Sequence, residues 1–398
     1  MTQAVPATFS TVREDFFNPP AVIREFREKA PLTRMAFPGG HPGWLVTGHA
    51  AARAVLADPR FTARAERGHP PVPRAATLEE FPAPRHGSPG RTENTGWRRH
   101  RELLTAQFTP RRMRRFTEWA AKAAGKQAAA MHRAGPSADL VGDFALPYTS
   151  LALCELLGVP EADRETFQRD VHTWALPGTT RDITRAFASL GAHLHHLVLR
   201  KRAEPADDLL GGLIAAEPAL SDEDLTSTAF LLLIAGHATT AHQLALGIFA
   251  LLQHPRQLAA VRADRSLTDG AVEEMLRHLS VVHHGPTRAA LEDAEIDGTL
   301  VRAGEIVMVS LPAANRDPDH FESPDRFDVT RDGTGHLAFG HGAHHCPGDQ
   351  AARIQLRAEP HRAARPLPRP APGRPAAGDP PLHTDTQVYG AHRLPVTW

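Results

Sequence analysis

Residues 339 to 348 read FGHGAHHCPG, one cysteine among three histidines and three glycines. Thiolate and imidazole are strong transition-metal ligands, so the stretch offers either a zinc site or a lone thiolate presented to a larger cofactor. A structural zinc ion wants four ligands, typically as short-spaced Cys or His pairs. Here Cys346 has no second cysteine near it, and His344 and His345 adjoin it too tightly to chelate one tetrahedral ion together. Heme iron needs only one axial protein ligand, and a cysteine thiolate is among the few in use. Gly342 and Gly348 flank the sulfur and would let backbone pass close to a flat macrocycle, with amide N–H groups aimed at the thiolate. Taken alone, the stretch fits equally well a buried cysteine in a glycine-rich turn.

Further chemistry-bearing residues lie upstream. EEMLR places Glu274 and Arg277 one helical turn apart, able to face a common partner. LLLIAGHATT gathers Ile234, the small Ala235 and Gly236, the titratable His237 and the hydroxyl of Thr239. These last belong to the longest predicted helix, 221–254. Ser221 is its N-cap, with Asp224 at capping-box spacing, and Pro255 ends it. About 33 residues at 1.5 Å each give roughly 50 Å, enough to cross a domain. Apolar residues surround its middle, which predicts burial.

The front half of the chain is helical by period and punctuation. GHAAARAVLADPRF stops at Pro59, WRRHRELLTAQFTPRR ends near Thr109-Pro110, and RRMRRFTEWAAKAAGKQAAAMHRAG closes at Gly135. Residues 66–96 are dense in Pro and Gly without periodicity, the signature of a lid-like or disordered connection. Alternating runs punctuated by Gly298 and Gly304 within 293–311 read as strands. Pro360 to Pro381 holds eight prolines and reads as extended or loop-like. No internal repeat is present.

Composition bounds the remainder. The 398 residues are 41% hydrophobic, which supports a sizeable core. With 45 basic and 45 acidic residues the formal charge is zero, against a generic nucleic-acid binder. Two cysteines are too few for a disulfide scaffold and fit a reducing cytoplasm. The N-terminus lacks an apolar signal core, and the strongly apolar run 229–236 is too short to span a bilayer. A cytoplasmic protein acting as a monomer, without nucleic acid or membrane partners, is expected.

The pattern Phe339-x-x-Gly342-x-x-x-Cys346-x-Gly348 resembles the heme-binding loop of the cytochrome P450 family. EEMLR, then SPDRFD, and the LLLIAGHATT segment follow that family's order and distances, as do VTGHAAARAVLADPRF, ANRDPDHF and YGAHRLPVTW. The resemblance covers nearly the whole chain and is strongest to the soluble bacterial members. It implies a mainly α fold with a small β region, one domain over 1–398 with a long central helix. It also implies heme b (iron protoporphyrin IX) as cofactor, with Cys346 as its metal ligand. By the same resemblance Arg288, His344 and Arg101 hold the propionates. Trp97 stands where many bacterial relatives place a histidine. Glu274, Arg277 and Arg326 form a buried structural network.

The implied activity is activation of O₂ to hydroxylate or otherwise oxidise a secondary metabolite. Electrons come from NAD(P)H through ferredoxin reductase and ferredoxin. Ala235 and Gly236 would leave room for O₂, and Thr239 would hydrogen-bond it. The family's acid before that threonine is replaced by Ala238, which cannot relay a proton, and such acid–base help is typically worth ~10²–10⁴-fold. His237, a water chain or a substrate group could substitute. Alternatively the chemistry is oxidative C–C or C–N coupling of aromatic or cyclic-peptide substrates without oxygen insertion, and a rival of another class is a non-catalytic heme protein. The implied pocket is lined by the 66–96 loop, by Ile234, Val282 and Val388 as apolar walls, and by His283, His284 and Tyr389 as polar handles. Arg98, Arg99, Arg111, Arg112, Arg114 and Arg115 make a basic cluster suited to an acidic ferredoxin.

Overall fold

The computed structural model describes residue 13 and residues 15–36, 42–63, 94–175, 179–358, 369–370, 382 and 388–397, with side chains at 94–98, 175, 180 and 369–370 outside that set. The lid-like 66–96 stretch lies outside the described residues as far as position 93, as does most of the 360–381 segment. The chain is mainly helical with small sheets, as expected, and divides into two compact units. One takes its described residues from 1–75, 254–346 and 373–391, the other from 76–253, 347–372 and 392–398.

The first unit holds β1 (Leu32–Ala36), β2 (Pro42–Val46), β3 (Phe61–Thr62), β4 (Thr287–Ala290), β5 (Ala294–Ile296), β6 (Thr299–Val301) and β7 (Ile306–Val309). Five of them form one sheet in the order β1-β2-β7-β4-β3; β2 and β7 run parallel and the other neighbours antiparallel. β7 reads IVMV and is buried throughout, the pattern of a central strand covered on both faces. Val46, Val307 and Val309 pack with Val55 and Leu56 of the helix His49–Ala57. The predicted strands of 293–311 appear as the β5–β6 hairpin and β7. β1 to β4 were not expected from the sequence. LTRMA and PGWLV lack a clean apolar alternation; β2 is ordered by pairing with β7 far along the chain, and β1 by pairing with β2.

The second unit is built on the central helix Asp222–Gln253, 32 residues long. The expected cap forms: Ser221 Oγ accepts from the Asp224 amide at 3.1 Å and donates to the Asp224 carboxylate at 2.7 Å. Ala229 and Leu233 pack against Leu153, Cys154, Leu157, Leu190 and Leu194 from neighbouring helices. Burial differs from expectation along its length. Thr240 to Leu252 are buried all round, whereas Leu231, Ile234 and Ala235 in the middle are exposed.

The helix carrying Trp97 and Arg101 spans Asn94–Thr105, ending before the expected Thr109. Thr109 instead caps the helix Pro110–Ala134, its side chain accepting from the Arg112 amide, with Pro110 at the first position. Leu140–Leu157 and Asp222–Gln253 are apolar enough and long enough to cross a membrane, unlike the shorter run considered from sequence. Their apolar windows are 72% and 56% buried inside the protein, as in core helices.

Candidate active site

Cys346 ends a loop whose course is set by its own backbone. Its amide donates to Phe339 O at 2.9 Å, His345 N to Gly342 O at 3.0 Å, and Gly340 N to Leu337 O at 2.8 Å. Gly342 has φ +69°, and a Cβ there would lie 2.6 Å from Leu56 O and 2.9 Å from Ala57 Cα. Only glycine lets the loop press this closely on the His49–Ala57 helix. Gly348, in contrast, sits at φ −93° as the cap of the helix Asp349–Arg357, within the second unit. The Cys346 side chain is half-buried and free of disulfide bonding; Cys154 is buried in the second unit, and desolvation pushes its thiol up to about 12. Of the two thiols, Cys346 is the one that stays partly accessible.

Glu274 and Arg277, on the helix Leu267–Leu279, are wholly buried and joined by two hydrogen bonds, Nε to Oε2 at 2.7 Å and Nη2 to Oε1 at 2.8 Å. Arg277 also donates to the carbonyls of Asn315 and Pro324 at 2.8 and 2.9 Å, and to Arg326 O at 3.3 Å. Glu274 accepts from the Asp328 amide at 2.8 Å. The sequence reading is corrected at the third position. The Arg326 side chain is 68% exposed and pairs with Asp328 at 3.0 Å, so it contributes to the network only through its carbonyl. Arg331 takes the place instead, its Nε 3.5 Å from Glu274 Oε2. Both arginines lie in DRFDVTR, and the sequence alone gave no reason to choose the later one.

On the central helix, Ala235 is exposed, and Thr239, one turn on, donates its hydroxyl hydrogen to Ala235 O at 2.5 Å. Gly236 points elsewhere. A Cβ there would lie 3.1 Å from Leu153 Cδ2, so its small size serves close packing on the helix Leu146–Leu157. His237 is 1% exposed, with Nε2 3.3 Å from Leu146 O. Two residues turn a helix by about 200°, so His237 faces away from the side shared by Ala235 and Thr239. Desolvation pushes its pKa down to about 4. It is a neutral packing residue here and no stand-in for the missing acid.

The family model for Cytochrome P450 matches residues 174–358. Across its whole length the chain is 59% identical, over 399 residues, to Cytochrome P450 105C1 of a Streptomyces species, covering 100% of both. The chain belongs to the cytochrome P450 family. It is also 38% identical to the vitamin D3 dihydroxylase of Streptomyces griseolus, covering 92% of this chain and 91% of that one. The crystal structure of ligand-free wild-type CYP105P1 matches with a TM-score of 0.88 at 36% identity, covering 99% of this chain and 100% of that one. As a P450 the protein is an oxidoreductase of the monooxygenase type and binds heme b.

The residues present fit that cofactor. Arg288 on β4 is 5% exposed and donates to Thr287 O at 3.0 Å. No carboxylate among the described residues pairs with it, and burial alone pushes its pKa down to about 10. A buried cation without a counter-charge suits a P450 whose cofactor brings two carboxylates. His344 is half-buried in the turn before Cys346. Arg101, in the second unit, is half-buried one turn after Trp97, whose side chain is outside the described set.

The expected polar handles are buried. Tyr389 is fully buried, its hydroxyl donating to Phe16 O at 3.2 Å and its ring covered by the Arg13 guanidinium at 3.5 Å. His283 and His284 are buried, with ring centroids 4.0 Å apart and His283 5.6 Å from Tyr389. Val282 bridges to Val388 and stays partly open. The basic cluster is also partly spent on internal pairs. Arg111, Arg112 and Arg115 converge on Asp207 at 3.6, 3.0 and 2.8 Å, and Arg99 pairs with Glu217.

Proposed function

We propose that this P450 hydroxylates a largely apolar, mid-sized secondary metabolite, the whole chain working as one catalytic domain in the cytoplasm. One observation carries the substrate class. The polar handles suggested by sequence are buried in the protein's own packing, while Ile234 and Leu231 stand open at 38% and 37%. These two offer the substrate apolar surface, worth roughly 25 cal/mol per Å² covered. The relative named for vitamin D3 supports the same class.

In this reading Cys346 supplies the axial thiolate, and Arg288, His344 and Arg101 hold the propionates. Heme, when bound, supplies oxygen-activating chemistry favoured by electron density from the thiolate. The chain's part in proton handling rests on Thr239. Its hydroxyl hydrogen is committed to Ala235 O, leaving the oxygen's lone pairs to accept a proton-bearing partner. With Ala238 inert and His237 turned away, water or a substrate hydroxyl would carry the protons, held in place by a hydrogen bond donated to Thr239 Oγ1.

Titration of the ferric protein tests the class, because a substrate that displaces iron-bound water shifts the Soret band. Apolar terpenoids and macrolides are expected to shift it saturably, with one oxygen atom gained in the product. A shift confined to free indoles or cyclic dipeptides, or loss of hydrogen without oxygen gain, contradicts the reading. Electrons are proposed to come from NAD(P)H through ferredoxin, docking near Arg114 and the Asp207-bound arginines. Because one carboxylate is shared by three arginines, a net positive face remains, and doubling ionic strength should slow ferredoxin-supported turnover. Unchanged turnover rules out docking there.

A further inference from the structure

His336 stands three residues ahead of Phe339, and its side chain is 3% exposed. Its Nε2 lies 3.0 Å from Glu273 Oε2, and its Nδ1 accepts the Ala338 amide at 3.1 Å. A ring nitrogen accepts only when it carries no proton, so these contacts define one tautomer: hydrogen on Nε2, donated to the carboxylate, with Nδ1 bare. Next to it the Leu337 amide donates to Asn315 Oδ1 at 2.6 Å. Two consecutive amides are thus held by side chains outside the loop. Directly after them comes Phe339, whose carbonyl receives the Cys346 amide at 2.9 Å. Glu273 and Glu274 are neighbours on one helix, about 100° apart around it. The first reaches His336, while the second holds Arg277 and the Asp328 amide.

We propose that His336, oriented by Glu273, is a positioning residue for the cysteine loop. It fixes the Ala338 peptide and, through it, the Phe339 carbonyl that anchors the Cys346 amide. The inference rests on Cys346 being the heme ligand. Its distinguishing feature is that the acceptor at Nδ1, more than the bulk of the ring, does the positioning. Asparagine can place Oδ1 near the Nδ1 position and still accept from Ala338. Glutamine reaches Glu273 but leaves the Ala338 amide without that acceptor. Phenylalanine fills the space and offers neither.

The experiment is the heme-loss rate of each holoprotein to excess apomyoglobin, together with the fraction of the reduced CO complex showing the red-shifted thiolate Soret band. His336→Gln and His336→Phe should lose heme about tenfold faster than the parent, with part of the CO complex moved to the blue-shifted form. His336→Asn should stay within about threefold of the parent, and Glu273→Gln should fall between. If the Phe variant does not fold, the contrast of Asn with Gln decides. Equal behaviour of Asn and Gln, or parent-like heme retention in Gln, overturns the proposal. Cys346→Ser tests the underlying reading separately: persistence of the thiolate band in that variant removes the ligand assignment, whatever the His336 variants do.

Discussion

Two arginines in the first unit are almost equally buried and could hardly be treated more differently. Arg277 spends its guanidinium on both oxygens of Glu274 and on three backbone carbonyls. Arg288 has one carbonyl and no carboxylate among the described residues. A fully partnered buried charge fixes the fold around it, and removing either partner strands the other. An unpartnered one is a standing cost that is retained where a ligand supplies the missing charge. Burial alone does not tell these cases apart; the hydrogen-bond inventory does.

The strongest way to break this comparison is Arg277→Ala. It leaves the Glu274 carboxylate buried beside a cavity and should cost about 3–5 kcal/mol, seen as a collapsed yield of heme-loaded protein. Normal loading would show that the pair is dispensable. Next comes His237, another buried group whose ring makes one hydrogen bond among the described residues, to Leu146 O. Its folded pKa of about 4 lies below the ordinary 6.5. Between those values the unfolded chain takes up a proton that the folded one refuses. Stability is therefore full at neutral pH and is lost as pH falls through the window, by up to about 3 kcal/mol. His237→Gln should flatten the acid side of a plot of unfolding midpoint against pH. His49 and His278, also lowered by burial, preserve part of the slope.

The smaller effects sharpen the comparison. Arg331→Ala removes a mostly buried partner of Glu274 and should cost roughly 1–3 kcal/mol in chemical denaturation. Arg326→Ala, on an exposed ion pair, should stay within about 0.5 kcal/mol of the parent. If the two values were reversed, the membership of the network would be misassigned.

How much of this was visible in the sequence depends on whether a feature is local. The Ser221 cap, the long central helix and the Glu274–Arg277 pair follow from spacing within one helix, and the structure shows them where spacing put them. β2 was hidden because its order depends on a strand hundreds of residues away, and β1 because it pairs with β2. Arg331 was hidden for a similar reason: which of two nearby arginines turns inward is settled by the course of the loop. Tyr389 and His283 read as polar handles, yet whether such groups face a ligand or the core depends on Arg13 and Phe16 at the other end of the chain. Nothing in spacing singles out His336 among so many histidines; its contacts to Glu273 and the Ala338 amide do.

Arg288 is proposed to be kept buried for the heme and Arg277 for the fold. Arg288→Leu tests it most directly, through heme release from the holoprotein and chemical unfolding of the heme-free protein. Heme should leave about tenfold faster, because a charge-assisted contact to a propionate is gone. The heme-free protein should unfold no earlier than the parent, and about 1 kcal/mol later if the stranded cation was a net cost. Unchanged heme release, or a heme-free protein destabilised as severely as Arg277→Ala, would contradict the account.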